Sequence, residues 1–173
     1  SLLGHQRHQN SMMPFDDDMD LYTATLSSPT IHFLEEKLLP YRFIHFNGWY
    51  KVVSSNIAFT DRLSIAIDVF EYVVQDSGKI VTLKNKNARR KWPKERYKVE
   101  DVFPLAPSTF CGVAVDVPNR PINVLKQAYG DDVMEVGFTN NVHGAMAYLS
   151  FPVSQKIPIT AKNNLPAVEN KKI

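Results

Sequence analysis

The 173-residue chain carries a single cysteine, Cys111, which excludes an intrachain disulfide and any cysteine-based zinc site. No apolar run reaches membrane-spanning length, and no signal-peptide pattern is visible. No Asn-x-Ser/Thr acceptor occurs, so nothing marks the chain for N-glycosylation. Excess charge is also scarce: a formal net charge of +2 is too small to argue for a nucleic-acid partner. No internal repeat appears. What remains, 44% hydrophobic and 22% charged residues, is the make-up of a globular domain with a real core. The chain opens on Ser1-Leu2-Leu3-Gly4 without a start methionine. We read it as an N-terminally truncated piece of a longer protein, whose parent could carry a membrane anchor of its own.

The most informative stretch is Pro14-Phe15-Asp16-Asp17-Asp18-Met19-Asp20-Leu21. Four carboxylates in five residues repel one another, so a fold that keeps them must offset the charge. In an extended segment Asp18 and Asp20 share one face, while Met19 and Leu21 take the other as anchors. Asp16 has the same parity as Asp18 and Asp20 but follows Pro14-Phe15, where the strand need not have begun. The natural partner of such a pair is a hard divalent cation, Mg2+ or Mn2+, bound by oxygen with positions left for phosphate. The alternative is a solvated loop or cap, the usual fate of an acidic run. Flanking Met12-Met13 and Leu21-Tyr22 fit a buried strand better than a tail.

Elsewhere the elements are read from local signals. Leu2 to Arg7 is a short helix, and Ser27-Ser28-Pro29 starts another that Pro40 ends. Asn47-Gly48 joins two aromatic-rich runs into a hairpin. Residues 63–72 form the most strand-like run, and Asp68 interrupts its apolar face. A carboxylate there is costly unless paired or metal-bound, so Asp68 is either bonded to a backbone group or an Arg, or is a third carboxylate beside Asp18 and Asp20. Asp76-Ser77-Gly78 turns the chain into a further strand. Residues 84–98 are strongly basic and read as solvated loop, the alternative being that they steer an anionic ligand toward the acidic site. Trp92 reads as a local packing anchor. His45 and Cys111 read as structural, Cys111 as a small core residue within a strand over 110–117. Pro121 to Tyr129 is a helix ended by Gly130. Periodicity fades after about residue 137, which divides the chain into a domain over 1–137 and a partly irregular extension over 138–173.

In order, Leu2-Leu3-Gly4-x-x-Arg7, Pro14-Phe15-Asp16-x-Asp18-x-Asp20, Ile67-Asp68-Val69-Phe70, Phe103-Pro104-Leu105, Val117-Pro118-Asn119 and Leu125-x-x-x-Tyr129-Gly130 resemble the LicD-type phosphotransferases. That family includes bacterial phosphorylcholine transferases and, in animals, fukutin and fukutin-related protein. The likeness covers Ser1 to about Asp132. It implies an α+β fold with a nucleotidyltransferase-like core, a short mixed β-sheet flanked by helices. By the same resemblance Asp18 and Asp20 match the metal-ligand aspartates, Asp16 the acidic position before them, and Asp68 the third carboxylate. Gly4 and Arg7 match the helix that opens on the phosphates; Arg7 and Lys51 are candidate phosphate contacts, or surface charges. Phe15 stands where tryptophan is usual, and the Gly-rich entry to the phosphate site, which this core normally carries ahead of that helix, is not in the chain. The implied reaction is metal-dependent transfer of a phospho-substituent, such as phosphorylcholine or ribitol phosphate, from a CDP-linked donor to a glycan or glycoprotein hydroxyl, with release of CMP. Two alternatives stand beside it: a non-catalytic domain that binds glycan or protein, and a nucleotidyltransferase. An animal parent would reside in the Golgi lumen or secretory pathway.

Overall fold

The computed structural model describes residues 2–12, 19–55, 67–138 and 156–158. Asp16 and Asp18, and the first part of the strand expected over 63–72, lie outside the described residues. The fold is mixed α+β, built on a six-stranded sheet with helices packed against it. In chain order the elements are α1 (Leu2–Arg7), β1 (Met19–Thr23), α2 (Ser28–Lys37), β2 (Tyr41–Phe46), β3 (Trp49–Ser54), β4 (Ile67–Gln75) and β5 (Ile80–Leu83). They continue as α3 (Lys86–Lys91), β6 (Arg96–Lys98), α4 (Val99–Val102), β7 (Ala106–Phe110), β8 (Val113–Val117), α5 (Pro121–Tyr129), β9 (Val136–Phe138) and β10 (Lys156–Pro158). None of the described helices is long and apolar enough to cross a membrane.

The long strand β4 is the axis. Its first half lies between β3, antiparallel on one side, and β1, parallel on the other; its second half pairs antiparallel with β5, which pairs with β6. The Asn47-Gly48 turn closes β2 onto β3 with both residues at positive φ, 49° and 105°, as a two-residue hairpin requires. Gly48 has a second reason to lack a side chain: a Cβ there would lie 2.3 Å from the side chain of Asn85. Asn85 in turn caps α3, its Oδ1 accepting from the backbone N–H groups of Asn87 and Ala88.

The core beside the axis is aromatic. Trp49 stacks on Phe70 at 5.7 Å between ring centroids, and Trp92 meets both edge-on at 5.1 and 5.3 Å. Leu83 and Ala88 complete the buried cluster. Each such ring pair adds about 0.5–1.5 kcal/mol beyond its buried area. Trp92 is therefore a long-range anchor rather than a local one.

Three local expectations are corrected. Residues 84–98 are not simply loop: they contain α3 and β6, because Asn85 caps the helix and Ala88 inserts into the aromatic cluster. Cys111 is exposed, at the tight turn between β7 and β8 with φ of 50°, instead of inside a strand. Leu21 is 43% exposed and so does not anchor β1; the buried aromatic cluster lies on the face that carries Asp68 and Phe70.

Candidate active site

The parallel pairing of β1 with β4 sets Asp20 opposite Asp68, and the antiparallel pairing of β3 with β4 sets Lys51 opposite the same residue. Side chains at aligned positions of neighbouring strands share a face about 4.8 Å apart. Asp20, Asp68 and Lys51 thus form one row across three strands. Asp68 is buried. Its Oδ1 accepts from Lys51 Nζ at 2.5 Å, and its Oδ2 accepts from Trp49 Nε1 at 3.2 Å. Trp49 lies two residues before Lys51 on the same strand, so strand alternation brings both donors to this carboxylate. The ammonium also lies 5.8 Å from the centre of the Phe46 ring. An indole N–H that both stacks and donates is the feature missed in the sequence. The signal was present in the i, i+2 spacing of Trp49 and Lys51 behind the hairpin turn.

A second polar group adjoins the row. Tyr22, two residues beyond Asp20, packs its ring on Phe70 and donates its hydroxyl to Glu95 Oε2 at 2.9 Å. Tyr97 donates to the same oxygen. Burial first, then the Glu95 carboxylate, holds the Tyr97 phenol well above its ordinary pKa; Tyr22, 48% exposed as a residue, is raised in the same direction by burial of its hydroxyl end and by Glu95, with Asp20 adding to both. Both therefore remain hydrogen-bond donors through the neutral range.

The remaining candidates lie elsewhere. Gly4 is buried in α1, which packs on α5. His5 Nε2 pairs with Ser108 Oγ at 2.7 Å, tying α1 to β7. Arg7 reaches the Val133 carbonyl at 3.5 Å, and partial burial lowers its pKa. None of the hydrogen bonds around Asp68 involves Gly4 or Arg7. The fold thus brings Asp20, Asp68 and Lys51 together and sets Gly4 and Arg7 against α5 and its following turn.

Residues 1–120 match the family model described as LicD/FKTN/FKRP, nucleotidyltransferase domain. The chain belongs to the LicD family. Membership makes it a domain of the kind found in phospho-substituent transferases, a family that is generally metal-dependent and uses a nucleotide-linked donor with a glycan acceptor. No curated protein matches the chain.

The donor set suits a hard cation in kind. Asp68 and Asp20 offer oxygen alone, and Asp68 has lone pairs beyond the two that Lys51 and Trp49 occupy. Among the described residues, no three His, Cys, Asp or Glu side chains converge as a metal cluster. A full site needs a further ligand, and Asp18 is the candidate that the Asp-x-Asp spacing supplies.

Proposed function

We propose that this LicD-family chain carries the catalytic carboxylates of a transferase that moves a phospho-substituent from a CDP-linked donor to a glycan hydroxyl, releasing CMP. The observation that carries the reading is the register of Asp20 with Asp68 and Lys51 across β1, β4 and β3. Asp18, Asp20 and Asp68, with Asp16 preceding them, are assigned as the oxygen donors for Mg2+ or Mn2+. Bound there, the ion would engage the donor's diphosphate and offset charge building on the departing CMP.

The chain's own side chains do the rest. Lys51 spends one of its three N–H donors on Asp68 and has two to direct at a phosphoryl oxygen. Trp49 fixes the carboxylate plane from the other oxygen, so Asp68 cannot rotate away while Lys51 engages a ligand. Asp20, on the solvent side of the row, meets the donor first. Asp68 either serves as the third oxygen donor or takes the proton of the attacking hydroxyl, the two roles being alternatives. For an animal parent, the family resemblance supports a Golgi-lumen site of action.

The test is product analysis with CDP-choline and CDP-ribitol, Mn2+ and a glycan acceptor, comparing wild type with Asp20→Asn. CMP release that falls by about a hundredfold or more in the variant is expected, the scale of a lost electrostatic contact in phosphoryl transfer. Release of pyrophosphate from a nucleoside triphosphate would make the domain a nucleotidyltransferase. Metal-dependent CDP binding without turnover would make it a binding domain.

A further inference from the structure

The basic stretch over 84–98 has no part in the carboxylate row, and folding gathers it around one cleft. Lys86, Arg89, Arg90, Trp92 and Arg96 line a cavity of about 720 Å³, with Thr82 at its wall. No carboxylate is among the lining residues. The single acid of this stretch, Glu95, is turned toward the hydroxyls of Tyr22 and Tyr97. Four cations therefore share the cleft, and among the described residues the one ion pair they make joins Arg96 to the exposed Asp76. Arg89 is held in place: its Nη1 donates to the Leu83 and Lys84 carbonyls at 2.6 and 2.8 Å. Arg90 Nη2 donates to Asn87 Oδ1 at 2.6 Å. Both guanidinium groups are oriented by neutral oxygens that leave their charge uncompensated, and further N–H donors remain on each.

Such a group of cations is self-repelling until an anion enters, and oriented guanidinium forks match phosphate geometry. Trp92, half-buried against Trp49 and Phe70, adds a rigid apolar surface to the same cleft. The geometry points to a metal-independent site for a phosphate monoester or a diphosphate in this cleft, separate from the Asp20–Asp68 row. Separation follows from the lining, which includes no residue of that row. Independence of metal follows from the lack of any lining carboxylate to hold a cation. The site stands whether or not the chain is a transferase.

The experiment is calorimetric titration of the full chain in EDTA at about 0.15 M salt, where weak surface pairing is screened. The probes are inorganic pyrophosphate and glucose 6-phosphate, with glucose as the neutral control. Saturable binding of both anions at one equivalent, and none of glucose, is expected. Lys86 and Arg90 are exposed, so the double variant Lys86→Gln/Arg90→Gln keeps its circular dichroism spectrum. It should bind both anions about tenfold or more weaker, having lost two charge-assisted contacts. Asp20→Asn should bind them as wild type does. Absence of metal-free binding, or equal affinity in the double variant, overturns the site. Weaker binding of both anions in Asp20→Asn overturns its separateness and makes the cleft part of the carboxylate-row site. Failure of the transferase reading appears instead in CMP release, a different readout.

Discussion

Replacing Lys51 by methionine keeps an unbranched apolar side chain one atom shorter and removes the ammonium held 2.5 Å from Asp68 Oδ1. The side chains are 19% and 10% exposed, so this is a largely desolvated pair rather than a surface one. Removing one partner of a buried pair costs about 3–5 kcal/mol, since the other charge is left uncompensated. Trp49 Nε1 would still donate to Oδ2, and the remaining exposure admits some water. The expected loss is therefore at the low end, about 3 kcal/mol, or more than about a hundredfold in the folding equilibrium. Adding Asp68→Asn removes the orphaned charge while keeping an oxygen for the indole N–H. Lys51→Met/Asp68→Asn should then recover much of the loss, with a coupling of about 2 kcal/mol in the double-mutant cycle. Urea unfolding followed by tryptophan fluorescence reports it directly, because Trp49 and Trp92, the chain's two tryptophans, belong to the aromatic cluster. A loss under about 1 kcal/mol in Lys51→Met, or strict additivity in the cycle, would show that the pair is solvated and refute the argument.

Two other outcomes follow from the same packing. Gly48→Ala combines a φ of 105° with a Cβ 2.3 Å from Asn85, and should cost about 2–3 kcal/mol in thermal unfolding, whereas Gly78→Ala, with open space around its Cβ, should cost only about 1 kcal/mol. Equal losses at the two glycines would remove the Asn85 contact from the explanation. Tyr22 and Tyr97 have pKa values raised above the ordinary 10.0. Below pH 10 both states keep these protons; above it the unfolded chain loses them first, so stability falls as pH rises and goes on falling until the folded phenols ionise. Tyr97→Phe should flatten the loss of stability measured above about pH 10, and an unchanged slope would argue against it.

Much of the chain was legible because its signals are local. Asn47-Gly48 dictates a hairpin through positive φ, and Ser27 with Pro29 starts α2 as a cap and a first-turn proline do. Gly130 ends α5, whose apolar side buries Leu125, although Tyr129 is exposed and Val124 takes its share of the core. Where tertiary contacts supply the free energy, local reading failed. The segment forming α3 has no apolar stripe; it is helical because Asn85 caps it and Ala88 fits under two tryptophans and a phenylalanine. α2 keeps a helical spacing of apolar residues, yet none of it is buried and Phe33 is 56% exposed.

By itself the sequence determined the family, the acidic motif with Asp18 and Asp20, and the parity that sets Asp68 on the face of Phe70. These depend on residue type and on the two-residue alternation of strands, which need no partner. Only the tertiary structure decided that Asp20, Asp68 and Lys51 stand in one row, that Trp49 holds Asp68, and that the basic residues line a cleft. Register between strands 48 residues apart is chosen by the sum of packing on both faces, which no local segment contains.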